Sequence, residues 1–250
     1  MVEEILKKGA LALGIELGDH EINQFSAYTA LLLEWNKKFN LTRITDPAEI
    51  AVKHYLDSLT CLAAARFPEG ALVADVGTGA GFPGVPLAIA RPDLRLVLIE
   101  ATRKKLAFLE VVRDAILSQH PAILSLSKDG VPRIELVHAR AEEVGRLPEH
   151  RERYDVVVAR AVAEMRVLAE YCLPLVKVGG VFIAQKRPDV EHELARARPG
   201  ISVLGGGPPE VVRLTLPGTD SRRSVVVVKK IKPTPGEFPR QGAKIAKKAL

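Results

Sequence analysis

Cysteine is almost missing from this 250-residue chain: only Cys61 and Cys172 occur, far apart and in apolar stretches. With no CxxC pair and no Cys/His cluster, neither a structural zinc site nor a dithiol redox motif is expected, and no metal is predicted. Both cysteines read as reduced core residues. Aromatic residues make up 5% of the chain, too few for a broad platform that would hold single-stranded nucleic acid by stacking. No apolar run approaches the ~20 residues that a membrane span requires. The first residues, MVEEILKKGALALGIELGDHE, place acids before lysines and lack the layout of a secretory signal. A cytoplasmic protein with no membrane attachment is the expectation.

What is present is ordinary core material. At 47% hydrophobic and 26% charged residues, the composition suits one α/β domain with additions, or two small domains. The charge is uneven. From Lys229 to Leu250 there are seven cations against one anion, Glu237, so this end carries the whole net charge of +6 and the remainder is about neutral. With KPTPGEFPRQG inside it, the tail reads as poorly helical, and either drawn to polyanions or a solvated terminus.

Three regions follow from the texture. Residues 1–68 read as a helical region: Ile22, Phe25, Tyr28, Leu32 and Trp35 recur at three- and four-residue steps, one face of a helix that Asp19 can cap. Pro47 suits the first turn of a further helix, with AEIAVKHYLDSLTCLAAA as its body. Residues 69–231 alternate short β-rich runs (ALVADVG, LRLVLIE, RIELVHA, YDVVVAR, GGVFIAQK) with helical stretches. That alternation implies a parallel sheet with right-handed crossovers. EVVRLTLP and SRRSVVVVKK, joined across a Gly-Thr-Asp turn, predict an antiparallel hairpin at one edge. Residues 232–250 form the basic tail. One stretch, 115–132, is too long for a helix–strand connection and reads as an exposed insertion, with AILS at 115 and again at 122.

The chemistry concentrates at DVGTGAGFPG. GxGxxG alone, here Gly79-Ala-Gly81-Phe-Pro-Gly84, would permit a dinucleotide site. Asp75 ahead of Gly77, Gly79 and Gly81 argues otherwise. The glycines allow close backbone approach, and the carboxylate suits the ammonium of the methionine part of S-adenosyl-L-methionine, whereas a pyrophosphate would be repelled. Glu100, 21 residues beyond Gly79, ends the next strand and can accept both ribose hydroxyls. After the third strand, Ala141 can offer its N–H to an adenine nitrogen and Glu142 can accept from the exocyclic amine. Three acids at successive strand ends point to the methyl donor. The fold expected is the Rossmann-like class I S-adenosylmethionine-dependent methyltransferase fold, a seven-stranded, mostly parallel sheet with a C-terminal antiparallel hairpin and an N-terminal helical extension.

EWNKKFNLTRITDP, KHYLDSL, DVGTGAGFPGVPLAI, RAEE, VVARAVA and PTPGEFPRQG occur in that order. Together they resemble the 16S ribosomal RNA guanine-N7 methyltransferase family, also called the glucose-inhibited division protein B family, over nearly the whole chain from about Ile15. The resemblance implies methyl transfer to N7 of one guanine, in 16S RNA or in a small-subunit or assembly particle. It also implies donor contacts at Gly77, Phe82, Ala141, Glu142 and Arg160, with Ala101 and Thr102 beside Glu100.

N7 of guanine already presents an in-plane lone pair, so no general base or covalent nucleophile is required. The Asn/Asp-Pro-Pro-aromatic box of amine methylation is absent after YDVVVA, where the chain continues Arg160-Ala161-Val162. Arg160 could hold guanine O6, an RNA phosphate or the donor carboxylate, or form a structural salt bridge. His54 and Asp57 read as a structural pair. Asn36, Lys37, Lys38, Asn40 and Arg43, together with Lys186, Arg187 and, in the tail, Arg240, are the candidate RNA contacts. The alternatives from other classes are a catalytically silent RNA-binding or ribosome-assembly factor, and a nicotinamide-dependent oxidoreductase.

Overall fold

The computed structural model describes residues 2–117 and 134–250. Most of the expected 115–132 insertion lies outside these. Among the described residues no helix is long and apolar enough to cross a membrane.

Seven strands form one sheet: β1 (Leu72–Val76), β2 (Arg95–Ile99), β3 (Ile134–Val137), β4 (Tyr154–Arg160), β5 (Val176–Lys186), β6 (Glu210–Thr215) and β7 (Arg222–Lys229). Their order is β3-β2-β1-β4-β5-β7-β6. The first five are parallel, and β7 runs antiparallel to both β5 and β6, as the alternation and the final hairpin predict. The order reverses between β1 and β4, which opens a crevice beyond their carboxyl ends.

Central strands read as unbroken Val/Leu/Ile/Ala runs because both faces are covered. Successive residues point to opposite sides. Val73, Leu96, Leu98, Val156, Val158, Ile183 and Val225 face one core. Ala74, Val97, Ile99, Val157, Ala159, Phe182, Ala184 and Val226 face the other.

The first core is closed largely by the N-terminal helices. Helix Asp19–Phe39 buries Ile22, Phe25, Tyr28 and Leu32, the stripe read from the sequence apart from Trp35, which packs partly buried on Phe108. Helix Pro47–Ile50 is capped by Asp46, whose side chain accepts the Glu49 N–H. It continues through a wider π turn, Ala51–Leu56, into helix Asp57–Ala64, adding Tyr55 and Leu59 to the same cluster. The core is therefore continuous across residue 68, which marks a change of local pattern only.

The second core holds helices Met165–Cys172 and Glu191–Val203 and also Phe238 of the tail. Here the alternative of a solvated terminus is corrected, although the segment holds only one short helix. Arg151 donates to the carbonyls of Thr234, Pro235 and Phe238. Lys230 is fully buried, its ammonium 2.6 Å from both the Leu173 carbonyl and the Thr234 hydroxyl and 3.0 Å from Glu152. Arg240 forms a two-pronged pair with the fully buried Glu170, at 2.8 and 2.6 Å. A short helix, Gly242–Lys247, follows. The segment docks because its cations meet the buried Glu170 and the half-buried Glu152 and its carbonyls meet an arginine fork.

Candidate functional site

The glycine turn after β1 is held from within. Asp75 is fully buried. One of its carboxylate oxygens accepts the Thr78 hydroxyl at 2.6 Å and the Gly84 N–H at 2.8 Å; the other, also buried, has no hydrogen-bond partner among the described residues. Burial pushes its pKa up to about 6, against the lowering effect of those hydrogen bonds. The reading of Asp75 as a carboxylate facing the donor is thus corrected in part: one oxygen knits the loop, and the other remains buried and unbonded. Gly77 has φ of 67°, and a Cβ there would strike the Val162 side chain at 2.8 Å. Gly81 passes equally close to the Tyr28 hydroxyl, 2.7 Å from a Cβ at that position.

Glu100, 5% exposed, joins this turn to the next. Its carboxylate accepts the Gly79 N–H at 2.9 Å and the Thr102 N–H at 2.8 Å. Each oxygen keeps acceptor capacity for a further donor. Ala141 and Glu142 open the short helix Ala141–Val144, where the first N–H groups have no intrahelical partner. Glu142 is buried, and among the described residues no hydrogen bond or ion pair engages its carboxylate. Gly77, Glu100, Ala101, Ala141, Glu142 and Val162 line one cavity of about 150 Å³, which Tyr171 completes. A buried, unpaired acid and a second acid with spare acceptor sites fit an adenosine-like ligand, rich in N–H and O–H donors. Tyr171 and Val162 were not anticipated. Tyr171 lies on a core helix whose pattern carries no signal for a ligand, and Val162 reaches the cavity only through the backbone turn at Ala161, which adopts φ of 55°. For a residue bearing a Cβ that conformation costs about 1–2 kcal/mol.

A larger cleft, about 1080 Å³, lies on the other side of Val162. Arg43, His54, Asp57, Arg160, Lys186, Arg187 and Asp189 are among its walls. His54 and Asp57 share only a helical backbone hydrogen bond, Asp57 N–H to the His54 carbonyl; their side chains do not pair, contrary to the expectation. Asp57 receives Arg160 at 3.1 Å and Arg223 at 2.8 Å. His54 stacks on Phe82, with centroids 4.5 Å apart, and lies 2.7 Å from the Thr42 hydroxyl. Burial, assisted by the Arg160 charge, lowers the His54 pKa to about 4, so it is neutral near pH 7. Arg160 also lies over Phe82, 4.7 Å from the ring centre. Arg160 therefore lines the large cleft rather than the small cavity, and Phe82 lines neither, being buried against the Arg160 and His54 side chains.

Of the expected RNA contacts, Arg43, Lys186 and Arg187 line the cleft. Lys186 is engaged by Glu193 at 2.6 Å and by the Ala163 carbonyl at 2.7 Å. Arg43 and Arg187 are exposed and carry no ion pair among the described residues. Asn36 instead accepts the Thr42 N–H at 2.8 Å, and Asn40 closes helix Asp19–Phe39 in the left-handed conformation, φ 48°. Both build the corner and do not wall the cleft. Lys38 is exposed outside the cleft lining, and Arg240 is committed to Glu170.

Residues 21–222 match the family model described as rRNA small subunit methyltransferase G. A protein named ribosomal RNA small subunit methyltransferase G from Pelotomaculum thermopropionicum is 48% identical over 241 residues, covering 96% of this chain and 95% of its own. One of the same name from Alkaliphilus oremlandii is 44% identical over 249 residues, covering 100% and 99%. Among solved structures, a SAM-dependent O-methyltransferase from Thermotoga maritima aligns with TM-score 0.50 at 14% identity, over 82% of this chain and 73% of that one. A variant of the 16S rRNA (adenine(1408)-N(1))-methyltransferase from Catenulisporales acidiphilia aligns with TM-score 0.50 at 17% identity, over 72% and 92%. These two share the fold, the class I methyltransferase sheet.

Proposed function

Because the chain belongs to the rRNA small subunit methyltransferase G family, we propose that it transfers a methyl group from S-adenosyl-L-methionine to N7 of a specific guanine in 16S ribosomal RNA, presented as free RNA or within a small-subunit particle. The family assignment removes the oxidoreductase alternative. The observation that carries the reading is the meeting of two cavities at Val162, a small acid-lined one beyond β1, β2 and β3 and a large arginine-bearing one beyond β4 and β5.

The bound donor supplies an electrophilic methyl group on a sulfonium. Glu142 and the Ala141 N–H hold the adenine edge, and Glu100 holds the ribose hydroxyls. Gly77 leaves backbone bare where the donor passes toward Val162. The task of these residues is alignment, since a methyl transfer needs nucleophile, carbon and leaving sulfur nearly in line. No proton must leave N7 before attack, which agrees with a cleft whose imidazole, His54, is tied to Thr42 and Phe82. An arginine bonded to N7 would block the lone pair. Arg160 is kept from that by Asp57, and it acts as a positioning residue at the border of the two cavities. Asp189, an acid of the cleft with no ion pair among the described residues, suits the guanine N1–H and N2 amine, where positive charge grows during transfer. Reaching N7 requires an unstacked or loop-exposed guanine.

The test is transfer from labelled donor to 16S RNA and to small-subunit particles, with the product base mapped. The expected product is 7-methylguanine at one position. Label on a pyrimidine, or only on a small molecule, defeats the reading.

A further inference from the structure

The tail packs against Glu142, which lines the small cavity, and against Glu170, the neighbour of a second lining residue. Arg240 is drawn in by three bonds to Glu170, including one from its own backbone N–H at 2.8 Å. Glu170 precedes Tyr171, a wall of that cavity. Pro239 rests on the helix that opens with Ala141 and Glu142, 3.1 Å from where a Cβ on Gly145 would stand. Two residues beyond Arg240, Gly242 lies directly against Glu142: a Cβ at 242 would stand 2.1 Å from one carboxylate oxygen and 3.1 Å from the carboxyl carbon.

We propose that Gly242 is a positioning residue for donor binding, and that the C-terminal segment is the outer wall that holds the Glu142 carboxylate toward the adenine amine. This rests on Glu142 being a donor contact. Gly242 opens a helix and has no left-handed φ, so alanine meets no backbone strain there and is the better helix former. The group that must yield to a new methyl is the tip of a flexible side chain, so the fold tolerates the change while the carboxylate is displaced. The effect should therefore fall on donor affinity, not on stability.

The experiment is calorimetric titration of the full chain with S-adenosyl-L-homocysteine and with S-adenosyl-L-methionine. Gly242→Ala is expected to weaken binding about tenfold, the scale of one hydrogen bond to a charged group, with Tm within about 2 °C of the parent and RNA affinity unchanged. In a Glu142→Ala background the same substitution should add nothing, because both act through one carboxylate. Gly236→Ala, in the same segment with no atom of the described residues within 4 Å of its Cβ position, should match the parent. Full affinity in Gly242→Ala alongside weak binding in Glu142→Ala overturns the positioning role alone. Equal loss in Gly236→Ala, or additive loss in the double variant, also overturns it. Unchanged binding in Glu142→Ala overturns the donor contact and the inference with it.

Discussion

The two ends of the chain are attached to the same sheet by opposite means. The N-terminal helices bring apolar stripes, with Phe25, Tyr28, Leu32, Tyr55 and Leu59 merging into one core with β1, β2 and β4. The C-terminal segment brings few apolar groups, Phe238 and Ile245 among them. It is held instead by Arg240 on Glu170, by Lys230 between Glu152, the Leu173 carbonyl and the Thr234 hydroxyl, and by Arg151 across three tail carbonyls. A hydrophobic stripe announces its burial in the sequence. A basic segment does not, because the same lysines and arginines serve equally in solvent, on a polyanion or against a buried acid, and only the partner decides.

The two attachments break most readily at a buried leucine in one and at the partner of a buried acid in the other. Leu32→Ala should destabilise by about 3 kcal/mol through loss of buried surface and the cavity left behind. Arg240→Ala should cost about as much, roughly 3 kcal/mol, because Glu170 would be left buried without its counter-charge. Urea unfolding of both variants is the measure. A loss below about 1 kcal/mol for Arg240→Ala would mean that the tail is only loosely attached.

A pH profile sharpens the contrast at the seam between the N-terminal helices and β1. The Asp75 pKa is raised to about 6, above its unfolded value, so the native state binds the extra proton and Asp75 favours folding less as pH rises from about 4 to 6. The His54 pKa is lowered to about 4, so the unfolded state binds the proton there and His54 favours folding more as pH rises from about 4 to 6.5. The two trends oppose one another, each worth about 2–3 kcal/mol, and wild-type stability should vary little from this source. His54→Gln removes one arm. Its stability relative to wild type should fall as pH increases across that window, seen as Tm in a series of buffers. A parallel pair of curves would show that the two groups do not oppose each other.

The smallest effects concern RNA. Arg187→Ala and Arg43→Ala should each lower the salt slope of RNA binding by about 1, as expected when one cation no longer neutralises a phosphate, without changing affinity for the donor. Lys247→Ala in the tail should lower it by less. A larger slope change at Lys247 than at Arg187 would return the tail to the role its composition suggested.

Much of the site was legible because it repeats along the chain. Glu100 and Glu142 follow strands whose period is plain, and strand ends in a parallel sheet share one rim, so they were expected together and line one cavity. Asp75 was legible in place but not in orientation. Whether a carboxylate at a turn faces outward or bonds inward depends on the Thr78 hydroxyl and the Gly84 N–H, which reach it only once the turn has closed. Asn36 and Asn40 had the composition of an RNA-binding corner, but hydrogen-bond to Thr42 and close a helix instead.

By itself, then, the order of residues determined what is local and periodic: the helix stripe, the alternation of strands with helices, the glycine turn and the acids at the strand ends. Each follows from backbone geometry acting over a few residues. The tertiary structure alone decided the partners of charges far apart in the chain, Arg160 with Asp57, Arg240 with Glu170, Gly242 against Glu142. The physical reason is that an ion pair or a steric contact depends on distance in space, and a residue's own neighbours in the chain carry no record of it.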